Sequence, residues 1–223
     1  MTVINLMLFV LLGLILTTYT SANPTNRRNE NLVLYEKPPP KCCTPYLWQA
    51  NISQVQGLVV NHYPVEIELV GHIWYDGKKE KVAVHANIVT NGVLSVLTVI
   101  QDFKAKKQYT MNKKQKTCQV GPVYFPKPER CIPDDAEFLG EEVLGGSLKV
   151  QSWKAPFKGE TYDVKAYFTM TESCIPVTST LSGKIDSPQG ELDILMTTTT
   201  SNYKAGIKDF SIFDIPDYCD KSL

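Results

Sequence analysis

The feature that most constrains the fold is a series of short apolar–polar alternations that begins near Val55 and continues through most of the chain. The stretch from Val65 to Leu69 alternates strictly, and the stretch from Val82 to Ile88 repeats the same period after the turn signal Asp76-Gly77. A period of two is typical of half-buried strands, and two such runs around a turn signal predict a hairpin. The sequence therefore predicts antiparallel β structure.

Further strands are expected at similar intervals along the chain. They cover residues 93–100, 107–111, 120–125, 147–153, 161–170, 175–185 and 191–199. The first of these is apolar at nearly every position, which predicts burial on both sides or one face that lines a cavity. Helical periodicity is limited to residues 134–144 and a turn near 208–213. The expected fold class is all-β with minor helix, as an antiparallel sheet, a sandwich or an open barrel.

The N-terminal residues have the sequence pattern of a targeting signal. The apolar run from Val3 to Leu16 is too short for a membrane span of about 20 residues, and Thr20-Ser21-Ala22 supplies the small residues of a cleavage site. We expect residues 1–22 to be a signal peptide, with an uncleaved N-terminal anchor as the alternative, and no transmembrane anchoring after it. A polar, proline-rich tail follows over residues 23–41, and a single domain is expected over residues 42–223.

Six cysteines agree with a secreted, oxidising location. They are Cys42, Cys43, Cys118, Cys131, Cys174 and Cys219. An even number predicts three disulfides, but six cysteines allow fifteen pairings, and the spacing does not choose among them. Neighbouring cysteines rarely bond to each other, so Cys42 and Cys43 are expected to have different partners. The sequon Asn51-Ile52-Ser53 adds a predicted glycosylation site at Asn51.

The charge balance argues against nucleic acid as a partner. Lys and Arg together number 23, as do Asp and Glu, so the formal net charge is zero. A neutral chain has no strong field that would collect polyanions. Two basic runs, Lys104 to Lys107 and Lys113 to Lys116, are interpreted as solvated loop charge or as a patch for anionic lipid headgroups.

The sequence offers little for catalysis or metal binding. The three histidines, His62, His72 and His85, lie near no nucleophile turn, so we expect no enzyme activity and no cofactor. The carboxylates of Asp134, Asp135 and Glu137 are weak candidates for Ca²⁺, because they lack the spacing of a preorganised calcium loop.

Short motifs resemble those of a known family. The segment Cys42-Cys43-Thr44-Pro45-Tyr46-Leu47-Trp48 resembles the C-x-x-P-x-x-W opening of the ependymin family. Further motifs match in the same order at residues 74–77, 82–84, 116–118, 132–138, 145–146, 150–153, 174–177 and 206–213. The resemblance extends over residues 42 to 219.

The resemblance implies a fold and a set of properties. The implied fold is two curved antiparallel sheets that form a half-open barrel with an apolar pocket, similar to bacterial lipoprotein carriers. Members are secreted or lysosomal glycoproteins, often homodimers, associated with lipid, calcium or extracellular matrix. The location implied for this chain is extracellular, with the lysosomal lumen as the alternative.

The resemblance also implies a disulfide pairing. Cys42 matches the family cysteine that pairs with the one at Cys174, and Cys118 matches the one that pairs with Cys219. The chain departs from the vertebrate pattern because it lacks a family cysteine near Leu94 to Leu97 and has Cys43 and Cys131 instead. These two are left as the third pair.

Two functions follow as expectations. The first is binding of hydrophobic small molecules or lipids in a β-sheet pocket, for which the candidate residues are Trp74, Val93, Val96, Thr98, Ile100 and Phe168. The alternative is a calcium-dependent adhesion or biomineral-matrix role. The acidic stretch from Asp134 to Glu142, together with Asp209, Asp214, Asp217 and Asp220, motivates this alternative.

Overall fold

The computed structural model describes residues 37–60, 63–187 and 190–219. The expected signal peptide, the tail up to residue 36, His62 and Asp220 lie outside these described residues.

The described chain forms eleven β-strands and one short 3-10 helix, Ser211–Phe213. In chain order the strands are β1 Leu47–Val60, β2 Tyr63–Asp76, β3 Lys81–Thr90, β4 Val93–Asp102, β5 Lys107–Asn112, β6 Thr117–Pro122, β7 Glu137–Leu144, β8 Leu148–Lys158, β9 Tyr162–Met170, β10 Pro176–Ser187 and β11 Gly190–Ala205. All pairings are antiparallel. The predicted all-β class is confirmed.

One sheet contains every strand, in the order β6-β5-β4-β3-β2-β1-β11-β10-β9-β8-β7. Two meanders, β1 to β6 and β7 to β11, join where the long strand β1 pairs with both β2 and β11. The family resemblance implies two curved sheets in a half-open arrangement; here the β1–β11 ladder joins the two meanders into one continuous sheet. The sheet does not close into a barrel, since β6 and β7 remain at its edges.

The helix predicted over residues 134–144 is also wrong. This stretch contains β7, which pairs with β8 from Glu137–Lys154 to Leu144–Leu148. The spacing of its acidic residues imitates one face of a helix. The pairing register shifts between Phe138 and Gly140, and Gly140 has φ 137°. This backbone conformation favours glycine and is not compatible with a helix.

The two faces of the sheet are covered by different segments. Residues 123–136, here called the connector, run from β6 to β7 and pack on the face that we name the inner face. Residues 206–219, here called the C-terminal segment, pack on the opposite, outer face. On the outer face Phe213 and Cys219 join Ala83, Ile100 and Met111 in one buried cluster.

The inner face holds the other three buried clusters. One is centred on Trp48 and Tyr75, whose rings stack with centroids 5.3 Å apart, and a second is centred on Trp153 against Phe138. The third surrounds Ile194. Alternation along each strand decides the face, since directly opposed residues of neighbouring strands point to the same side.

Three disulfides connect loops and termini to this sheet. They join Cys42 to Cys174, Cys43 to Cys131, and Cys118 to Cys219, and the described residues contain no free cysteine. The family resemblance implies Cys42–Cys174 and Cys118–Cys219, and Cys43–Cys131 joins the two cysteines that it leaves over. The first two fasten the start of the domain to the inner face, and the third holds the C-terminal segment on the outer face.

Candidate ligand-binding site on the inner face

The connector covers only part of the inner face. It leaves β6 with Val123, whose N–H donates to the carbonyl oxygen of Lys106 at 3.4 Å. Tyr124 and Phe125 then pack against the cluster around Ile194, on the β7–β11 half of the sheet. Farther along, the Tyr75 hydroxyl donates to the carbonyl oxygen of Pro128 at 3.3 Å. The connector thus contacts both halves of the inner face.

An apolar strip on the β2–β4 part of the inner face lies outside every buried cluster of the described residues. We call this strip the inner trough. It consists of Ile67, Leu69, Ile88, Leu97 and Val99. Leu69 lies directly opposite Ile88, while Leu97 and Val99 face Ala86 and Val84 across the next ladder. All five trough side chains are half-buried. Among the described residues, no buried cluster extends over these large aliphatic side chains.

A polar strip borders the trough at the centre of the sheet. Gln54 on β1 lies opposite Leu69, and its Nε2 donates to Oε1 of Gln56 at 3.3 Å. The Thr198 hydroxyl donates to Oε1 of Gln54 at 3.3 Å. A side-chain amide beside an aliphatic surface is the combination that orients an amphipathic ligand, because the polar group fixes one end while the apolar wall supplies contact area.

An open groove extends from the same strands at the β1–β2 end. It has a volume of about 670 Å³ and is lined by residues of both faces: Gln56, Leu58, Val65 and Ile194 have the inner alternation, and Val55, Glu66 and Leu195 the outer. This volume falls within the range of small-molecule sites, about 300–1,000 Å³.

The residues predicted for the pocket are divided between the two faces. Val93 and Phe168 have the alternation of the inner face, and Val93 is 69% exposed. Trp74, Val96, Thr98 and Ile100 have the alternation of the outer face. Thr98 and Ile100 are fully buried there, and Ile100 and Trp74 pack in the cluster that includes the C-terminal segment.

Sequence reasoning missed the trough residues of β2 and β3 and, apart from Val93, chose the outer set in β4. Both alternating sets of β4 are apolar, so composition alone does not distinguish them. The C-terminal segment distinguishes the two sets, because its Ile207, Ile212 and Phe213 are apolar and require an apolar sheet face to pack against.

The described histidines sit in polar contacts on the outer face. His85 Nδ1 lies 2.9 Å from the Thr98 hydroxyl, which is inaccessible because Thr98 is fully buried. His72 Nδ1 lies 2.7 Å from Asn51 Oδ1, and burial, followed by the charge of Lys204, holds the pKa of His72 below its usual range. Neither described ring contacts a carboxylate, so these contacts do not form a nucleophile–base–acid arrangement.

The candidate calcium residues are not assembled. Asp134 and Asp135 are exposed, and Glu137 Oε2 lies 3.3 Å from Lys154 Nζ. Within residues 37–60, 63–187 and 190–219 no group of three His, Cys, Asp or Glu side chains is close enough to hold a metal ion.

The remaining predicted features lie on the surface. Asn51 is exposed on the outer face of β1, where its side chain meets His72. The two basic runs fall in separate hairpin loops, β4–β5 and β5–β6. In the described part of the chain, no helix has both the length and the apolar character required to cross a bilayer.

The fold and its site define an all-β, disulfide-linked domain with an uncovered apolar strip on one sheet face. The chain belongs to the Ependymin family, whose sequence profile matches residues 93–219. It is 26% identical over 189 residues to Ependymin-related protein 1 of Haliotis asinina, covering 80% of this chain and 90% of that protein. It is 27% identical over 144 residues to Development-specific protein LVN1.2 of Lytechinus variegatus, covering 60% of this chain and 76% of that protein.

Solved bacterial structures are distantly similar. An uncharacterized conserved protein from Thermus thermophilus has a TM-score of 0.44 at 14% identity, covering 78% of this chain and 87% of its own. A Vibrio parahaemolyticus domain named for outer membrane lipoprotein sorting has a TM-score of 0.34 at 9% identity, covering 74% of this chain and 88% of its own.

Proposed function

We propose that this protein is a secreted, non-enzymatic glycoprotein that carries hydrophobic ligands, such as lipids, on the inner face of its sheet. The observation that supports this proposal is the inner trough, whose five half-buried aliphatic side chains belong to no packed cluster of the described residues. Exposed aliphatic surface costs about 25 cal/mol per Å² relative to burial, so a ligand that covers the trough gains that free energy.

The adjoining polar strip favours an amphipathic ligand over a pure hydrocarbon. Gln56 is buried, and its amide is held by Gln54 in a position to accept or donate at the edge of the trough. A fatty acid or phospholipid would place its chain along Leu69 and Ile88 and its polar group near these amides.

Secretion and glycosylation are supported by the cysteines and the sequon. All six cysteines are paired, as expected for a protein that folds in an oxidising compartment. Asn51 is exposed on a surface strand, where a glycan could extend into solvent. The calcium and matrix alternative is less favoured, because Glu137 is engaged by Lys154, and the oxygens of Glu141 and Glu142 accept hydrogen bonds from Gln151 and Ser152.

Titration with a fluorescent fatty acid tests the carrier function. We expect saturable binding to the wild type and an affinity about tenfold lower for Leu69→Gln, because a buried apolar contact of this size contributes about 1.5 kcal/mol or more. Val70→Gln is the matched control: Val70 is the next residue on β2, points to the outer face and is 63% exposed.

The two variants separate the trough from general surface binding. Equal affinities for Leu69→Gln and the wild type would exclude the inner trough as the site. Absence of binding to the wild type up to high micromolar ligand, at neutral and acidic pH, would remove the carrier function altogether.

A further inference from the structure

The fold brings two hairpin loops into contact at one end of the sheet. These are the β2–β3 loop, residues 77–80, and the β4–β5 loop, residues 103–106, and together they line an open depression of about 810 Å³. Lys78, Lys79, Lys81 and Lys104 are among its lining residues, and Lys106 and Lys107 follow directly in the chain. The lysines of the β4–β5 loop form a run in the sequence, and the fold places the lysines of the β2–β3 loop next to them.

The carboxylates at this end already have partners within the protein. Asp76 is buried and accepts the backbone N–H groups of Lys78 and Lys79, both at 3.0 Å. Asp102 lies 2.9 Å from Lys81, and Glu80 lies 3.0 Å from Lys127. The local negative charge is therefore used in holding the loops.

The exposed lysines have no such partners. Lys78 and Lys104 make no side-chain hydrogen bond or ion pair in the described structure, and both are exposed. The Lys79 ammonium lies 5.8 Å from the centroid of the Phe210 ring. Two exposed carboxylates lie nearby: Glu129, on the connector and within Coulombic reach of Lys127, and Asp209, which directly precedes Phe210 and accepts the backbone N–H of Ser211. Lysines therefore outnumber carboxylates among the residues that line the depression, which presents net positive charge to solvent.

Two exposed aromatic side chains flank these lysines. Phe210, beside Lys79, is 41% exposed. Tyr46 is 50% exposed, and its carbonyl oxygen accepts the N–H of Gly77 at the start of the first loop. The Arg130 guanidinium lies 4.2 Å from the Tyr46 ring. Aromatic rings beside cations are typical of surfaces that meet the headgroup region of a bilayer, whereas a soluble polyanion requires only the charge.

We propose that this end of the sheet, formed by the two loops with Tyr46 and Phe210, docks on the surface of an anionic phospholipid bilayer. The lysines of the depression meet the lipid phosphates and carboxylates, and the two aromatic rings enter the headgroup layer. This inference rests on the proposed carrier function, for which it supplies the surface where ligand is exchanged with a membrane.

Vesicle sedimentation tests the docking surface. The probes are vesicles of phosphatidylcholine alone and vesicles in which about one-third is phosphatidylserine. Near an anionic surface each lysine contributes about fivefold to affinity, so Lys78→Gln/Lys79→Gln/Lys104→Gln is expected to bind the anionic vesicles about a hundredfold more weakly. Binding of the wild type should fall with added salt and be absent on phosphatidylcholine.

The β5–β6 loop provides the matched control. It has the same length and three exposed lysines, Lys113, Lys114 and Lys116, and does not line the depression. Changing all three to Gln removes the same charge, and we expect vesicle binding within about twofold of the wild type because charges beyond a Debye length of about 8 Å are screened.

A second variant separates a bilayer from a sulfated polysaccharide. Phe210→Ser should weaken vesicle binding several-fold and leave elution from a heparin column unchanged, since heparin offers no apolar layer. The proposal is overturned if the wild type does not bind anionic vesicles, whether or not it binds heparin. It is also overturned if the triple loop-lysine variant binds the vesicles as tightly as the wild type, or if the β5–β6 control variant loses as much vesicle affinity as the triple variant.

Fatty-acid titration without vesicles keeps the two proposals apart. The triple loop-lysine variant should retain wild-type affinity for the fluorescent fatty acid, because none of its substitutions touches the inner trough. Loss of vesicle binding in this variant, with no fatty-acid binding in any variant, would remove the carrier function and leave the docking surface in place.

Discussion

At the scale of single residues, three hairpin loops are held by the same kind of hydrogen bond between a side chain and the loop backbone. Asp76, Asp102 and Asn112 each end a strand, and each side chain accepts a backbone N–H of the four-residue loop that follows, at 2.8–3.0 Å. The last residue of each loop, Glu80, Lys106 and Lys116, has φ between 52° and 54°. An Asp or Asn acceptor replaces the bonds that a tighter turn would make within its backbone.

The loop acceptor and the ion pair of Asp102 can be tested separately. Asp102→Asn retains an oxygen for the N–H of Ala105 and loses only the charge pair with Lys81, whereas Asp102→Ala loses both. We expect urea unfolding to show a loss of about 1 kcal/mol for Asn and about 2 kcal/mol for Ala. Equal losses would mean that the hydrogen bond to the loop contributes nothing.

The same residue predicts a pH dependence. Burial alone would raise the pKa of Asp102, but the hydrogen bonds from Ala105 and Lys81 outweigh it and hold the pKa below the usual value. The stabilisation is therefore present above the unfolded pKa of about 3.9 and is lost as the pH falls through the folded pKa. The unfolding free energies of the wild type and Asp102→Asn should converge on acidification, and a constant difference down to pH 2 would contradict this assignment.

At the scale of strands and segments, the sequence predicts most of the strands because their alternation is local. The assignments that failed depended on contacts with other segments of the chain. The helix expected at 134–144 became β7 because the partner strand β8 supplies cross-strand bonds that no local pattern reveals. The choice of inner residues in β4 depended on the C-terminal segment, which is more than 100 residues away in sequence and reaches the outer face through Cys118–Cys219, a separation of 101 residues.

The C-terminal segment depends on that disulfide. It contains one 3-10 turn and packs through Phe213 on the outer face of the sheet. Changing both Cys118 and Cys219 to Ser should lower the free energy of unfolding by about 2–5 kcal/mol. Hydrogen exchange should show lost protection first in residues 207–219, with the central strands still protected.

The matched control is the double change of Cys43 and Cys131 to Ser, which removes a disulfide at the connector and leaves the C-terminal segment attached. Protection of residues 207–219 should stay at the wild-type level in this control. Uniform loss of protection across the sheet in the first variant would contradict a segment that opens locally.

At the scale of the whole molecule, the two sheet faces are covered differently. The outer face is closed at one end by the C-terminal segment, and the inner face carries the connector but leaves the trough of β2 to β4 uncovered. On this account the disulfides hold the two covering segments in place, the trough binds ligand, and the lysine loops at one end of the sheet meet the membrane. In the proposed carrier function, ligand specificity comes from the shape of the trough and the amides beside it.

The most direct test of this account is non-denaturing mass spectrometry of the protein after secretion from a eukaryotic host and purification without detergent. We predict a mass that includes bound lipid for the wild type and for Val70→Gln, with a smaller lipid-bound fraction for Leu69→Gln. A wild-type protein that shows only its unliganded, glycosylated mass, even after incubation with a lipid extract, would contradict the central claim.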